Sequence, residues 1–114
     1  MLATVIDNNG IIRYHTAMTP AALLSSLRPA LKHRHMKVRH LAVLLLLAEA
    51  PSRVDFTAGA WDLRLPKSAM TRSCDVLYKL GFIDREYSQD DARKIFLGMT
   101  PKGREFIRSM GVSS

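Results

Sequence analysis

The sequence predicts an α+β fold that is mainly α, a winged helix-turn-helix with an N-terminal β-hairpin. A continuous apolar run at residues 41–48 indicates a helix at the centre of the core. After it, the pattern predicts a short helix at residues 58–63 and, beyond a tight turn, an amphipathic helix at residues 67–80. Two strand-like stretches around a polar turn follow at residues 82–99 and predict the hairpin called the wing.

The size and composition of the chain fit one folded domain. Its 114 residues, 47% of them hydrophobic, are enough for one core and too few for two. We divide the chain into a hairpin arm at residues 1–18 and a winged helix-turn-helix domain at residues 19–114. The single cysteine is typical of a reducing compartment. No signal peptide is visible and no apolar run is long enough to cross a bilayer, so we expect a cytoplasmic protein without membrane contact.

A β-hairpin is predicted at residues 3–15. The letters NNG at residues 8–10 lie between apolar pairs at residues 5–6 and 11–12. Asn-Gly supplies the positive φ angles that a two-residue type I′ turn demands. Because two strands alone are marginally stable, the hairpin must pack on the domain or on a partner chain.

The first two helices have clear local signals. Thr19 followed by Pro20 is typical of an N-cap with proline at the first helical position. Pro29 lies inside the same pattern and is expected to kink or break the helix. The apolar residues at helical spacing are Leu23, Leu24, Leu27 and Leu31. The second helix is predicted at residues 36–49 and ends before Pro51.

The second half of the chain combines helices and strands. A strand-like stub precedes the short helix. The amphipathic helix opens at Pro66 and closes at Gly81, a residue type that favours the left-handed conformation after a helix. Strands are predicted at residues 82–87 and 94–99. A Thr-Pro step at residues 100–101 starts a final helix, whose apolar side carries Phe106, Ile107 and Met110.

The helix at residues 67–80 divides into two faces. Met70, Cys74 and Leu77 recur at helical spacing and form an inward stripe. The outward residues are Lys67, Ser68, Thr71, Arg72 and Asp75. A helix with such a face fits the major groove of DNA and presents side chains from its first turns to base edges. The alternative is an ordinary solvated face, which most surface helices have.

The net charge favours a polyanionic partner. Lys and Arg outnumber Asp and Glu by 17 to 10, a formal charge of +7. Cations placed on DNA phosphates release condensed counterions, so a small domain this basic is a candidate for DNA binding. Residues 28–40 contain no acid, and we expect phosphate contacts from Lys37 and Arg39. The alternative for this segment is a solvated connector between two helices.

Four segments of the chain form a combination of motifs. They are LRLPKSAMTR at residues 63–72, LYKLGFI at residues 77–83, DDARK at residues 90–94 and LGMTPKGR at residues 97–104. Together they resemble the DNA-binding region of MarR-type transcriptional regulators. In that family an acidic–arginine turn at the wing precedes a strand, and a Thr-Pro-x-Gly step opens the next helix. The resemblance covers residues 36–110, most of the chain, and the combination is more specific than any one motif.

The resemblance implies a role in DNA binding for the helix and for the wing. The residues that it places at the major groove or its flanking phosphates are Lys67, Ser68, Thr71 and Arg72. It implies that Arg93 enters the minor groove, with Asp91 orienting it. We also expect Lys94, the next residue, to contact DNA. Arginine suits that place, because a narrow A·T minor groove concentrates negative potential.

From these features we expect a sequence-specific transcriptional regulator that binds double-stranded DNA, acts as a repressor and is associated with the nucleoid. We expect a homodimer joined through the N-terminal hairpin, the first helix and the C-terminal helix, with two recognition helices in successive major grooves. One alternative is an architectural or replication-associated winged helix with little sequence preference. Another is a winged helix used as a protein-interaction adaptor, which has no need of a basic wing.

The remaining residues give no evidence of catalysis. No nucleophile elbow, glycine-rich phosphate loop or paired carboxylates are visible, so we expect no enzyme activity and no cofactor. His33, His35 and His40 lack an accompanying Cys or acidic ligand, which argues against a metal site. Cys74, on the inward stripe, is predicted to be an inert core residue rather than a redox sensor. Trp61 is predicted to anchor the core rather than to stack on bases.

Overall fold

The computed structural model describes residues 19–112 with their side chains, and residues 2–6 and 12–16 by their backbone. The strands are β1 (Leu2–Ile6), β2 (Ile12–Thr16), β3 (Val54–Asp55), β4 (Ile83–Tyr87) and β5 (Ile95–Met99). The helices are α1 (Pro20–Leu31), α2 (Val38–Glu49), α3 (Phe56–Asp62), α4 (Lys67–Lys79) and α5 (Pro101–Ser109). The fold is mainly helical, as predicted. None of these described helices combines the length and the apolar character that a membrane span requires.

The predicted N-terminal hairpin is present as two antiparallel strands. Leu2 lies opposite Thr16, and Ile6 lies opposite Ile12. The two strands form a sheet of their own. The predicted turn at residues 8–10 lies outside the described residues.

Helix α1 begins where the Thr-Pro signal predicts. The Thr19 hydroxyl oxygen accepts a hydrogen bond from the Ala22 N–H at 3.1 Å, which satisfies one of the amides left unpaired at a helix start. Pro29 lies inside the helix, which continues to Leu31, so the proline does not break it. Proline has no backbone N–H, so the helix lacks one hydrogen bond at this residue. Because the helix ends soon after Pro29, only a few hydrogen bonds follow the missing one.

The leucine face of α1 is largely uncovered by the described residues. Leu23 is 47% exposed, Leu24 is 49% exposed and Leu31 is 73% exposed. Ala30 is the one residue of the helix that is buried. The apolar spacing predicted the helix correctly, but residues 19–112 do not enclose its apolar face.

Helix α2 supplies the centre of the core, as predicted. Val43, Leu44 and Leu47 are buried. Residues from later elements that join the same cluster include Met70, Leu77, Ile83, Leu97 and Ile107. Leu45 is 38% exposed, so the apolar run is not enclosed on every side.

The first turn of α2 is closed by a histidine. The Lys37 N–H donates to the His40 Nδ1 atom at 3.0 Å, and the His40 side chain is buried. This bond satisfies an amide at the helix start and places the first residue at Val38, two residues after the predicted start. The helix ends at Glu49, before Pro51, as predicted.

The wing belongs to a three-stranded antiparallel sheet with the order β3-β5-β4. Val54 of β3 lies opposite Leu97 of β5, and Ile83 of β4 lies opposite Met99 of β5. The predicted strand-like stub is therefore an edge strand of the wing sheet. It ties the connection after α2 to the wing.

Helix α3 is capped by an aspartate. The Asp55 carboxylate accepts a hydrogen bond from the Ala58 N–H at 3.1 Å, so the helix begins at Phe56, two residues before the predicted start. Its buried residues are the small ones, Gly59 and Ala60. A Cβ on Gly59 would lie 3.3 Å from the side chains behind it, so α3 packs closely on its neighbours.

Helix α5 is joined to the start of β4 by one threonine and two glycines. The Thr100 hydroxyl accepts from the Gly103 N–H at 3.0 Å and donates to the Gly81 carbonyl at 2.5 Å. A Cβ on Gly103 would lie 2.1 Å from the Phe82 carbonyl oxygen, so this approach requires glycine. Gly81 has a φ of 79°, the left-handed conformation predicted for the residue that closes α4.

Candidate nucleic-acid interface

Helix α4 is held by the buried face that the sequence predicted. Met70, Cys74 and Leu77 are each no more than 1% exposed. Ser73 is also fully buried, and its hydroxyl donates to the Ala69 carbonyl at 2.9 Å. This serine was not part of the predicted apolar stripe, and its hydroxyl finds its hydrogen-bond partner within the helix. The packed face fixes the helix and leaves the opposite face to solvent.

The outer face of α4 is polar and exposed near its N-terminus. The exposed residues there are Lys67, Ser68, Thr71 and Arg72. Within residues 19–112, neither Lys67 nor Arg72 forms a salt bridge. Pro66 at the N-cap makes no side-chain hydrogen bond to the first turn. The first amides and the positive end of the helix dipole therefore face outward, where they favour an anion.

An ion pair joins the outer face of α4 to the wing. The Arg85 guanidinium, on β4, lies 3.0 Å from the Asp75 carboxylate. It also lies over the ring of Tyr78, with 4.3 Å between its central carbon and the ring centroid. Asp75 was predicted as part of the outward polar set, and it is half-buried and paired. The helix and the wing strand are thus linked by side chains as well as by the core.

The turn at the wing tip presents one arginine to solvent. The Ser88 hydroxyl accepts from the N–H groups of Asp90 and Asp91 at 3.2 and 3.3 Å. The Asp91 carboxylate accepts from the Arg93 N–H at 3.0 Å and from the Arg93 Nε at 3.3 Å. The Lys94 N–H donates to the Asp91 carbonyl at 2.9 Å. The Arg93 side chain is 92% exposed. The turn therefore fixes the backbone of this residue and leaves most of its guanidinium in solvent.

A second arginine, which was not among the predicted site residues, supports the base of the wing. The Arg53 guanidinium lies 2.6 Å from the Asp84 carboxylate and 3.0 Å from the Glu86 carboxylate. A Cβ on Gly98 would lie 3.0 Å from this guanidinium, so glycine leaves room for it across β5. The alternating charges of β4 predicted a strand, but nothing in the local sequence indicated that Arg53 would pair with them.

The basic run at residues 28–40 contains both exposed and partly buried side chains. Lys37 is exposed, whereas Arg39 is half-buried and its Nε has no hydrogen-bond partner among the described residues. His33 packs edge-on against the rings of Phe82 and Phe106, at centroid distances of 5.5 and 5.3 Å. No group of three His, Cys, Asp or Glu side chains within the described range could hold a metal ion.

Two buried titratable side chains are held neutral. Burial lowers the pKa of His40 from its usual 6.5, and the neighbouring Arg39 charge lowers it further. A neutral ring agrees with its Nδ1 atom accepting the Lys37 amide. Burial raises the pKa of the Cys74 thiol to about 11. Cys74 therefore lies in the core as predicted and stays protonated, whereas the reactive form of cysteine is the thiolate.

Trp61 departs from the prediction that it anchors the core. Its side chain is 86% exposed. The reason is the close packing of α3, whose inner face carries Gly59 and Ala60 and leaves no space for an indole. Trp61 follows these residues on the helix and points outward. An isolated tryptophan in a short helix gave no periodicity from which its direction could be predicted.

Solved structures with a similar fold include a protein described as a transcriptional regulator and a protein bound to DNA. The structure is similar to a MarR family transcriptional regulator from Rhodococcus sp. RHA1, with 21% identity, a TM-score of 0.64, and coverage of 80% of this chain and 63% of that one. It is similar to MarR, with 25% identity, a TM-score of 0.64, and coverage of 77% and 63%. It is also similar to reduced AbfR bound to DNA, with 21% identity, a TM-score of 0.65, and coverage of 78% and 63%.

The likeness concerns part of those proteins. This chain spans about 63% of the length of each of the three structures. No protein-family model and no curated protein matches the sequence significantly. The agreement with the solved structures therefore lies in the arrangement of helices and strands.

Proposed function

We propose that this chain, which has the MarR-type winged helix-turn-helix fold predicted from its sequence, binds specific sites on double-stranded DNA and regulates transcription. The observation that carries the proposal is the ion pair between Asp75 and Arg85. It joins the exposed, basic face of α4 to the strand that leads to Arg93. One surface thus combines a helix suited to the major groove with a cationic loop beside it.

Helix α4 enters the major groove with its N-terminal turns foremost. The residues that face base edges or flanking phosphates are Lys67, Ser68, Thr71 and Arg72. Arg72 offers a planar fork that can pair with a guanine edge, while Lys67 and the uncapped first turn suit a phosphate. The buried stripe on the opposite side keeps the helix from rotating in the groove.

The wing places Arg93 in the adjoining minor groove. Its contact with Asp91 limits the directions that the side chain can take, which lowers the entropy lost on binding. Lys94, also exposed, lies beside it and contacts a phosphate. These contacts strengthen binding where the minor groove is narrow and rich in A·T pairs.

The start of α2 adds phosphate contacts from Lys37 and Arg39. Lys37 is exposed at the N-cap, where it can reach the DNA backbone. Arg39 is half-buried, and the exposed part of its side chain can reach a neighbouring phosphate. Such contacts position the protein without reading sequence.

The regulator acts as a homodimer on a palindromic or pseudo-palindromic site. The N-terminal hairpin, α1 and α5 form the interface, and the exposed leucines of α1 supply apolar surface that a second copy can cover. Two copies related by a two-fold axis place their recognition helices in successive major grooves. A dimer bound across a promoter excludes other proteins, so the effect is repression by a protein that lies with the nucleoid in the cytoplasm.

Selection from random DNA tests this function. Duplexes with a randomised centre are bound to the purified chain over several rounds, and the retained molecules are sequenced. We expect a symmetric motif whose half-sites lie roughly 10 base pairs apart, or a multiple of that distance. Tight binding without an enriched motif would instead indicate an architectural protein, and no binding at low salt would contradict DNA binding altogether.

A matched pair of variants locates the contact on α4. Lys67→Ala and Lys79→Ala each remove one exposed lysine, at opposite ends of the same helix. We expect Lys67→Ala to weaken binding and to lower the slope of affinity against salt by about one, because one phosphate contact is lost. Lys79→Ala should change neither quantity. Equal losses in both variants would show that binding depends on net charge and not on the N-terminus of α4.

A further inference from the structure

Trp61 is the one tryptophan of the sequence, and its side chain lies almost entirely in solvent. Its exposed fraction of 86% is the highest among the exposed large hydrophobic side chains of the described residues. Removing an indole from water is strongly favourable. An indole left so exposed in the free protein therefore has surface that a bound partner can cover.

The indole lies beside the N-terminus of α4. One surface hollow is lined by Trp61 together with Thr57, Lys67 and the half-buried Leu65. Thr57 and Trp61 are one helical turn apart and share a face of α3. Lys67 is the first residue of α4. The face that carries Trp61 therefore continues into the end of α4 that enters the major groove in the proposed function.

The charges around this face identify the kind of partner. A second hollow is lined by Trp61 and Arg64, and the exposed Arg64 is held in the turn with a φ of 55°. Arg64 and Lys67 thus lie on the side of the indole nearest α4. On the far side are Asp55, which caps α3, and Asp62. A partner that approaches from the α4 side meets two cations beside the indole, and cations suit a phosphate.

We propose that Trp61 is a DNA contact that lies against the sugar–phosphate backbone at the edge of the major groove occupied by α4. The indole ring packs on a deoxyribose, its Nε1–H donates to a phosphate oxygen, and Arg64 neutralises the same stretch of backbone. The inference rests on the proposed function and adds to it a contact from α3. Because it touches backbone, the contact strengthens binding to any sequence and fixes the register of α4.

Two other occupants fit the surface less well. A second copy of the chain would bring Arg64 and Lys67 close to like charges, which is unfavourable in an interface. A different protein partner would need an apolar patch of standard interface size, and the large apolar side chains that surround Trp61 are half-buried. DNA needs one flat side chain and positive charge, which this surface supplies.

The experiment follows DNA binding and Trp61 with separate probes. Anisotropy of a fluorophore on the duplex reports binding, and indole emission with acrylamide quenching reports the exposure of Trp61. On binding, we expect the emission to shift to the blue and the quenching to fall. Trp61→Ala should weaken binding roughly tenfold on selected and random duplexes alike, from the loss of a hydrogen bond to a charged group and its packing. Trp61→Phe, which keeps an aromatic ring without the N–H, should lose less.

The control and the contrary outcomes are distinct. Leu45→Ala removes an exposed apolar side chain from the middle of α2, which the proposed function does not place on the DNA, and its affinity should stay unchanged. An anisotropy change with unaltered indole emission and full affinity in Trp61→Ala would overturn this inference and leave the proposed function standing. Indole emission already shielded in the free protein would also overturn it, since another surface would then cover Trp61. No anisotropy change at low salt would reject the proposed function and this contact together.

Discussion

The Arg93 guanidinium is held by the carboxylate of Asp91, with 3.3 Å between Nε and Oδ1, while 92% of the arginine side chain remains exposed. Asp91 also accepts the Arg93 backbone N–H at 3.0 Å, so both contacts come from one oxygen. An exposed pair of this kind adds little to folding stability. Its value lies in the direction that it gives to a cation at the wing tip.

Arg93→Ala should therefore weaken DNA binding by about 1–3 kcal/mol and leave the free energy of unfolding almost unchanged. Asp91→Ala should lose part of that affinity, because the arginine then samples more conformations. Anisotropy titrations on a selected duplex, with urea unfolding alongside, measure both quantities. In the double variant with Arg93→Ala, the Asp91→Ala change should not reduce the DNA affinity further. Full affinity in Arg93→Ala would remove the wing from the proposed interface.

Arg72→Ala tests base recognition by α4. If the guanidinium pairs with a base edge, the variant should lose about 1–3 kcal/mol and discriminate less at one position of the half-site. Repeating the selection from random DNA with the variant shows whether the motif changes there. An unchanged motif with weaker binding would reassign Arg72 to a phosphate.

His40 predicts a dependence of stability on pH. Burial and Arg39 lower its pKa in the folded state below the unfolded value of 6.5. As the pH falls below 6.5, the unfolded chain takes up the proton first, so the free energy of unfolding should decrease. Well above pH 6.5 both states are neutral and this contribution is constant. Urea unfolding between pH 5 and 8 measures the effect.

His40→Asn supplies the control for that dependence. Asparagine offers an oxygen that can accept the Lys37 amide in place of Nδ1, and it does not titrate. The variant should lose less stability than the parent between pH 6.5 and 5. Identical pH profiles would show that His40 is not the group responsible.

Deletion of residues 1–16 tests the proposed dimer. If the hairpin contributes to the interface with α1 and α5, the shortened chain should be monomeric by light scattering while keeping its helical circular dichroism. Its affinity for a full palindromic site should fall, because two half-sites are then bound independently. A shortened chain that stays dimeric would exclude the hairpin from the interface.

Gly103→Ala tests the joint between α5 and β4. The added Cβ would lie 2.1 Å from the Phe82 carbonyl oxygen, so the helix must shift. We expect a loss of about 1–3 kcal/mol in the free energy of unfolding, which is typical of overpacking. Glu105→Ala, at an exposed position of the same helix, should change stability little. Equal stability of both variants would show that α5 shifts away from β4 without a loss in the free energy of unfolding.

The sequence was informative where a feature depends on neighbouring residues. The threonine caps before α1 and α5, Gly81 after α4 and the stripe of Met70, Cys74 and Leu77 are local patterns, and each was predicted. Element boundaries were less accurate, because α2 and α3 begin where His40 and Asp55 close their first turns. Those hydrogen bonds move the start of each helix by two residues without changing its pattern of apolar residues.

Features that depend on residues distant in the chain were missed. Arg53 pairs with Asp84 across the wing sheet, and Arg85 of β4 pairs with Asp75 of α4. No local pattern indicates which charge will lie opposite another once strands and helices pack. The direction of Trp61 was predicted wrongly for the same reason, since it depends on how the small residues on the inner face of α3 pack against the neighbouring elements.

The order of elements, the two faces of α4 and the basic tip of the wing were therefore determined by the sequence alone, because periodicity and turn chemistry act within a few residues. The tertiary structure decided which charged side chains are paired, which histidine is buried and where Trp61 points. Those properties depend on the space left between packed elements, and that space is set by the whole core at once.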